Sequence, residues 1–149
     1  MHDLVANPVF QLYIAAAIIL GANLLVLANN TALTRAKNDE AVNPEDKVIN
    51  AKASVVYYEG NSKTQRYRRA HGNALENIPV FLITGFLLTL TQVPFIAAAI
   101  LFGIFVAFRL LHSVAYVKGL QPWRTASFAV SALDQAALLG FLGYWVFAG

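Results

Sequence analysis

Arg69, Asn73 and Glu76 recur four and then three residues apart within Arg66-Tyr67-Arg68-Arg69-Ala70-His71-Gly72-Asn73-Ala74-Leu75-Glu76-Asn77-Ile78-Pro79-Val80-Phe81. At about 100° per residue, Arg66, Arg69, Asn73 and Glu76 fall within roughly 80° of arc on one helix. Guanidinium forks match carboxylates in bidentate fashion, and a carboxylate meets an ammonium. The stripe therefore suits a ligand with more than one anionic group and one cationic group. It begins basic and runs into an apolar segment, so it stands at the mouth of a membrane helix. Such groups are costly there unless they hold something.

Other polar residues reach the same layer. Arg109, His112 and Tyr116, at i, i+3 and i+7, share one face of a third apolar segment. Arg124, Thr125 and Phe128 open a fourth, and Arg35 and Lys37 close the first. Positive charge near a thiol favours its thiolate. A tripeptide thiol with two carboxylates and one amine meets these demands. Arg68, Lys37, Lys63 and Lys118 read instead as topology anchors or lipid-headgroup partners, and Arg66 suits either role. Arg109 also suits an interhelical ion pair with Glu76 or Asp134, His112 a packing histidine, and Tyr116 an interfacial position. His71 faces roughly 160° away from Asn73 and stands outside the site. Asp134, an acid in the fourth segment, reads as a buried partner of Arg109, a helix contact in an oligomer, or part of a proton or ion path.

The elements that must position these groups follow from composition. Of 149 residues, 58% are hydrophobic and 13% charged, with a mean hydropathy of +0.55. Soluble domains carry about a quarter charged residues, so the excess of apolar residues points to a bilayer. Four spans are predicted, at about 9–28, 65–90, 94–117 and 124–147, within a single domain 1–149. The connections Thr91-Gln92-Val93-Pro94 and Lys118–Trp123 are tight, so the fold class is all-α: a four-helix transmembrane bundle, up-down in order. The polar stretch from Asn29 to about Lys63 contains Asn43-Pro44-Glu45-Asp46, predicted as a capped short helix with Pro44 in its first turn. The first apolar stretch follows His2 and Asp3, with no basic lead and no clear cleavage site, and reads as a retained helix. Ten of the eleven Lys and Arg fall in or beside the two loops on one side, and Arg109 lies deeper. The positive-inside rule then turns those loops to the cytoplasm and both termini outside, and it accounts for the +3 charge better than nucleic acid does. Tyr144 and Trp145 read as an interfacial belt. With no Cys, and three His without zinc-motif spacing, no metal site is expected.

The run Arg66–Ile78 resembles the signature of the MAPEG family, the membrane-associated proteins in eicosanoid and glutathione metabolism. Asn43-Pro44-Glu45-Asp46 resembles the first-loop motif of its glutathione transferase and prostaglandin E synthase branch. Arg109-Leu110-Leu111-His112-Ser113-Val114-Ala115-Tyr116 and Gln121-Pro122-Trp123-Arg124-Thr125 resemble its third- and fourth-helix pattern. The resemblance implies a homotrimer with glutathione as co-substrate, bound between subunits near the cytoplasmic face. Arg35, Arg69, Asn73, Glu76, His112, Tyr116, Arg124 and Thr125 match glutathione-contacting residues of the family. Arg124 matches the arginine that stabilises the thiolate, with Thr125 beside it. Arg66, Arg109 and Phe128 border the same layer, and Asp46 matches an acid proposed to act in prostaglandin isomerisation. Gly72 replaces an arginine of the prostaglandin enzyme, Ala74 an acid, and Phe128 a tyrosine.

The expected function is a membrane-bound glutathione transferase acting on hydrophobic electrophiles or lipid hydroperoxides, in a bacterial inner membrane or the endoplasmic reticulum. The alternatives are glutathione-dependent isomerisation of a lipid endoperoxide, a non-catalytic lipid-binding scaffold and, least supported, a small ion carrier.

Overall fold

The computed structural model describes residues 2–56 and 59–148, without the side chains of His2 and Asp3. Five helices run in chain order: α1 (His2–Ala6), α2 (Pro8–Lys37), α3 (Ser62–Thr89), α4 (Phe95–Lys118) and α5 (Trp123–Phe147). Asn7 starts α2, its Oδ1 accepting from Val9 N at 2.8 Å, with Pro8 in the first turn. The helix does not stop near Ala28, where the apolar run ends. Asn30, Thr31 and Thr34 donate to the carbonyls of Val26, Leu27 and Asn30 at 2.8, 2.8 and 2.6 Å. These back-bonds satisfy the polar side chains locally, and α2 continues to Lys37. At about 1.5 Å per residue, its last nine residues reach roughly 13 Å beyond the predicted span.

The loop between α2 and α3 departs from an all-helical description. Two short strands, β1 (Glu40–Ala41) and β2 (Ser54–Val55), pair in parallel, Glu40 opposite Ser54 and Ala41 opposite Val55. Between them Pro44–Val48 forms a 3-10 turn. Asp46 Oδ2 accepts from the Val42 and Asn43 amides, both at 3.1 Å, as a capping carboxylate does. Glu40 accepts from the Asn61 amide, which ties the loop to the start of α3.

The four long helices make one bundle. α2 packs on α3 and α4, and α4 packs on α5, so α3 and α4 occupy the middle. Phe81 of α3 stacks on Phe105 of α4, with centroids 4.3 Å apart and planes 5° apart, and meets Phe102 edge-on at 5.4 Å. Gly85 admits the Tyr13 ring: a Cβ there would stand 3.3 Å from Tyr13 Cδ2. The Tyr13 hydroxyl donates to the Leu82 carbonyl at 3.0 Å. Pro79, inside α3, has no N–H for the carbonyl four residues back.

Three helices, α2, α4 and α5, are long and apolar enough to cross a membrane, among the described residues. α3 has 28 residues, but its first half carries the polar stripe. Outward side chains such as Ile18, Ile96 and Leu133 are more than half exposed, and in a membrane protein that surface faces lipid. The protein is an integral membrane helix bundle.

Candidate functional site

The site is built where α4 ends and α5 begins. Gly119 closes α4 in the left-handed region at φ 70, with Leu120 N donating to the Ala115 carbonyl at 2.8 Å. The Arg66 guanidinium fills the place a Cβ would take at Gly119. This turn returns the chain so that Arg124 and Phe128 of α5 face His112, Tyr116 and Arg109 of α4.

Arg109 is 2% exposed, and its Nη1 donates to Asn73 Oδ1 on α3 at 3.0 Å. Its guanidinium carbon lies 5.6 Å from the Phe105 ring centre and 5.4 Å from that of Phe128. Two aromatic faces therefore hold a buried cation in an apolar bundle. The expected ion pairs are not formed. Neither Glu76 nor Asp134 bonds to Arg109; the amide of Asn73 does. Asp134 is buried on α5, its Oδ2 unpaired. The neighbouring Gln135 donates to Thr84 of α3 at 2.9 Å.

His112 is buried beside Arg109. Its Nδ1 lies 3.0 Å from the Arg124 carbonyl and 3.4 Å from Ser127 Oγ. A carbonyl only accepts, so Nδ1 carries the hydrogen and Nε2 is left as the acceptor in the neutral ring. The ring packs on Tyr116 at 5.6 Å and on Phe128 at 5.9 Å. The Arg124 guanidinium lies over Tyr116, 5.0 Å from its centroid. With the Gln121 amide turned to satisfy both neighbours, its oxygen accepts from Arg124 Nη2 at 2.7 Å and Nε at 3.2 Å. Its nitrogen donates to Thr125 Oγ1 at 3.0 Å.

Asn73, Arg109, His112, Tyr116, Arg124 and Phe128 thus form one linked cluster, with Thr125 at its edge. Arg109 Nε and Nη2 and His112 Nε2 are buried with no hydrogen-bond partner among the described residues. They supply donors for anionic oxygens and an acceptor for an N–H, a set that fits a peptide carrying carboxylates and amides.

The other sequence-predicted residues lie apart. Arg69 and Glu76 are exposed on the stripe that carries Asn73. Arg35 lines a cavity of about 160 Å³ with Glu40, Thr64 and Arg68. On α3 that cavity is lined by Thr64, Gln65 and Arg68, and none of Asn73, Arg109, His112, Tyr116 or Arg124 lines it, so Arg35 opens on a space apart from the cluster. Asp46 shares a second cavity with Arg35, on the loop side. Its carboxylate is held below its usual range by the Asn43 and Val42 amides, with Arg35 assisting. Gln121, Ser127 and Phe105 belong to the cluster without having been singled out in the sequence. The i, i+3 spacing of Arg124 and Ser127 was the available signal for one of them.

A MAPEG family model matches residues 13–144. The chain is 38% identical over 136 residues to Microsomal glutathione S-transferase 1 of Rattus norvegicus, covering 87% of this chain and 86% of that protein. It is 34% identical over 152 residues to Microsomal glutathione S-transferase 1 of Sus scrofa, covering 98% and 88%. It is 30% identical over 137 residues to Prostaglandin E synthase of Canis lupus familiaris, covering 91% and 88%.

Proposed function

The chain belongs to the MAPEG family, and from that premise we propose that it is a membrane-bound glutathione transferase. Its thiolate co-substrate attacks a hydrophobic electrophile that arrives through the bilayer: a sulfur–carbon bond forms and the leaving group departs with its electron pair. With a lipid hydroperoxide, the thiolate takes the terminal oxygen to form a sulfenic acid as the O–O bond breaks. The lipid alkoxide leaves and takes up a proton to give the alcohol, and a second glutathione converts the sulfenic acid to the disulfide, releasing water. The observation that carries this reading is the linked cluster of Asn73, Arg109, His112, Tyr116 and Arg124, with its unpaired buried donors and acceptor.

Arg124 stabilises the thiolate, with Thr125 beside it. Arg35 and Arg69 take carboxylates, and Glu76 takes the ammonium. Asn73 and Tyr116 orient the peptide. With its Nδ1–H committed to the Arg124 carbonyl, His112 offers Nε2 to a peptide N–H rather than a donor to a carboxylate.

Arg35 opens on a cavity that the cluster does not line. A glutathione gripped by both Arg35 and the stripe fits a site shared between copies, as in the homotrimer that the family resemblance implies. The chain acts as one transmembrane domain in which α3 makes the fourth crossing. Its basic loops and glutathione site turn to the cytoplasm, its termini lie outside, and its membrane is a bacterial inner membrane or the endoplasmic reticulum. Isomerisation of a lipid endoperoxide is the weaker reading, because the Asp46 carboxylate is spent on capping its own turn.

Arg69→Ala and Glu76→Ala test the reading. Each is expected to lower glutathione affinity at least tenfold, the scale of one lost charge-assisted contact. Unchanged affinity in both variants would refute it.

A further inference from the structure

Two cavities line up along α2 and α4, away from the cluster, as a groove interrupted between them. At the end of the bundle where the basic residues collect, the first, of about 230 Å³, has a lining that includes Asn23, Asn30, Tyr67 of α3, Ser113, Val117 and Lys118. Towards the other end a cavity of about 350 Å³ is lined only by apolar residues and glycine, among them Leu12, Ile19, Phe102, Val106 and Leu110. The α2 positions Leu12, Ala16, Ile19, Asn23, Leu27 and Asn30 step by three and four, so both cavities lie on one stripe. The stripe is about 27 Å long, close to the roughly 30 Å of a bilayer core.

The polarity along it is graded. Every polar lining group sits at the basic end, where Asn23 donates to Ser113 Oγ at 3.1 Å across the floor and Lys118 stands exposed at the mouth. Gly103 lines the apolar part. A glycine inside a helix is destabilising relative to alanine. Nothing lies within 4 Å of where its Cβ would stand, so packing within the chain does not require it. Its effect is to keep the groove open.

We propose that this groove is a binding site for a phospholipid with an anionic headgroup, drawn from the surrounding bilayer. The phosphate meets Lys118, the glycerol ester level meets Asn30 and the Tyr67 hydroxyl, and one acyl chain follows the apolar wall toward Gly103. Charge at one end and hydrocarbon along the rest match an amphiphile held parallel to the helices. The site is separate from the glutathione cluster and does not depend on the transferase reading.

The test is native mass spectrometry of the full chain after exchange into micelles containing equal amounts of phosphatidylglycerol and phosphatidylcholine. The wild type should retain one phosphatidylglycerol per chain, preferred about fivefold, the effect of one lysine at a membrane surface. Lys118→Gln should bring the ratio near unity. Gly103→Phe should abolish retention of both lipids while leaving thermal stability unchanged. Equal retention of both lipids, untouched by either variant, would mean boundary lipid only and overturn the proposal. Dissociation of the oligomer by Gly103→Phe would overturn it in favour of a second copy seated in the groove.

Discussion

The imidazole of His112 is fixed to the first turn of α5: its Nδ1 lies 3.0 Å from the carbonyl oxygen of Arg124. The side chain of one candidate ligand-binding residue thereby orients the backbone of another. The bond sets the tautomer, and it fixes the register between the end of α4 and the start of α5. His112→Ala should therefore act twice, removing an acceptor for glutathione and loosening the turn that carries Arg124. We expect glutathione affinity to fall about tenfold, one lost hydrogen bond in a buried site, with the thiolate signal of bound glutathione also weakened. Calorimetric titration with parallel absorbance checks both effects. Full affinity in the variant would mean that the bond is only a packing contact.

The Arg109–Asn73 bond predicts a stability effect. Asn73→Ala leaves a buried guanidinium without its hydrogen-bond partner, at a cost of about 1.5–3 kcal/mol. Thermal unfolding in detergent should show a drop of several degrees. Arg109→Lys should not restore the wild type, since an ammonium cannot span the two aromatic faces and the amide as a planar fork does. A variant as stable as the wild type would show that Arg109 is held by its rings alone.

Asp46 gives a prediction in pH. Its pKa in the folded loop is lowered, chiefly by the Asn43 amide and then by that of Val42. A lowered folded pKa means that the cap is fully present above the unfolded value of about 3.9 and is lost as pH falls through the folded value. Protection of the Val42 and Asn43 amides from hydrogen exchange, taken relative to the intrinsic rate at each pH, should be high at neutral pH and fall only well into the acid range. Asp46→Ala should make exchange fast at neutral pH without changing thiolate formation. Loss of the thiolate in that variant would assign Asp46 a role in the site.

Two glycines should resist substitution for different reasons. Gly85→Leu drives a side chain into the Tyr13 ring and should cost about 1–3 kcal/mol by overpacking. Gly119→Ala imposes a Cβ on left-handed backbone and displaces Arg66, at a cost of about 1–2 kcal/mol. Thermal shift measurements check both, with Gly140→Ala, inside α5 with open space around it, as a control that should not destabilise and should gain slightly.

Much of the architecture was legible because apolar runs of bilayer length leave few alternatives, and the stripe of Arg69, Asn73 and Glu76 stood out within one of them. Hydropathy reports where the membrane ends, however, not where a helix ends. Asn30, Thr31 and Thr34 carry α2 onward by bonding back to its own carbonyls, which no apolar pattern reveals. The pairing of Glu40 with Ser54 joins residues fourteen apart in a polar loop without strand alternation. In the site, charge suggested an acid as the partner of Arg109. The bundle gave it an amide and two phenyl rings, while Glu76 stays exposed and the buried Asp134 makes no bond to it. Ser127 was missed because a serine with a helix carbonyl in reach looks like any other serine until the facing imidazole is known.

A shared site between copies predicts complementation. Arg35→Ala and Arg69→Ala should each abolish most glutathione binding when expressed alone. Co-expressed and purified as mixed oligomers, they should recover a fraction of sites, since some sites then combine intact Arg35 from one copy with intact Arg69 from another. No recovery in verified mixed oligomers would locate the whole site within one chain.

The central claim is that this protein activates a thiol with Arg124. The most direct measurement is the ultraviolet thiolate absorbance of glutathione titrated into the purified protein in detergent at neutral pH, with Arg124→Ala beside it. A saturable thiolate signal in the wild type, absent in the variant while glutathione still binds, is the predicted result. Glutathione bound as the thiol in both proteins, or no glutathione bound by the wild type, would contradict it.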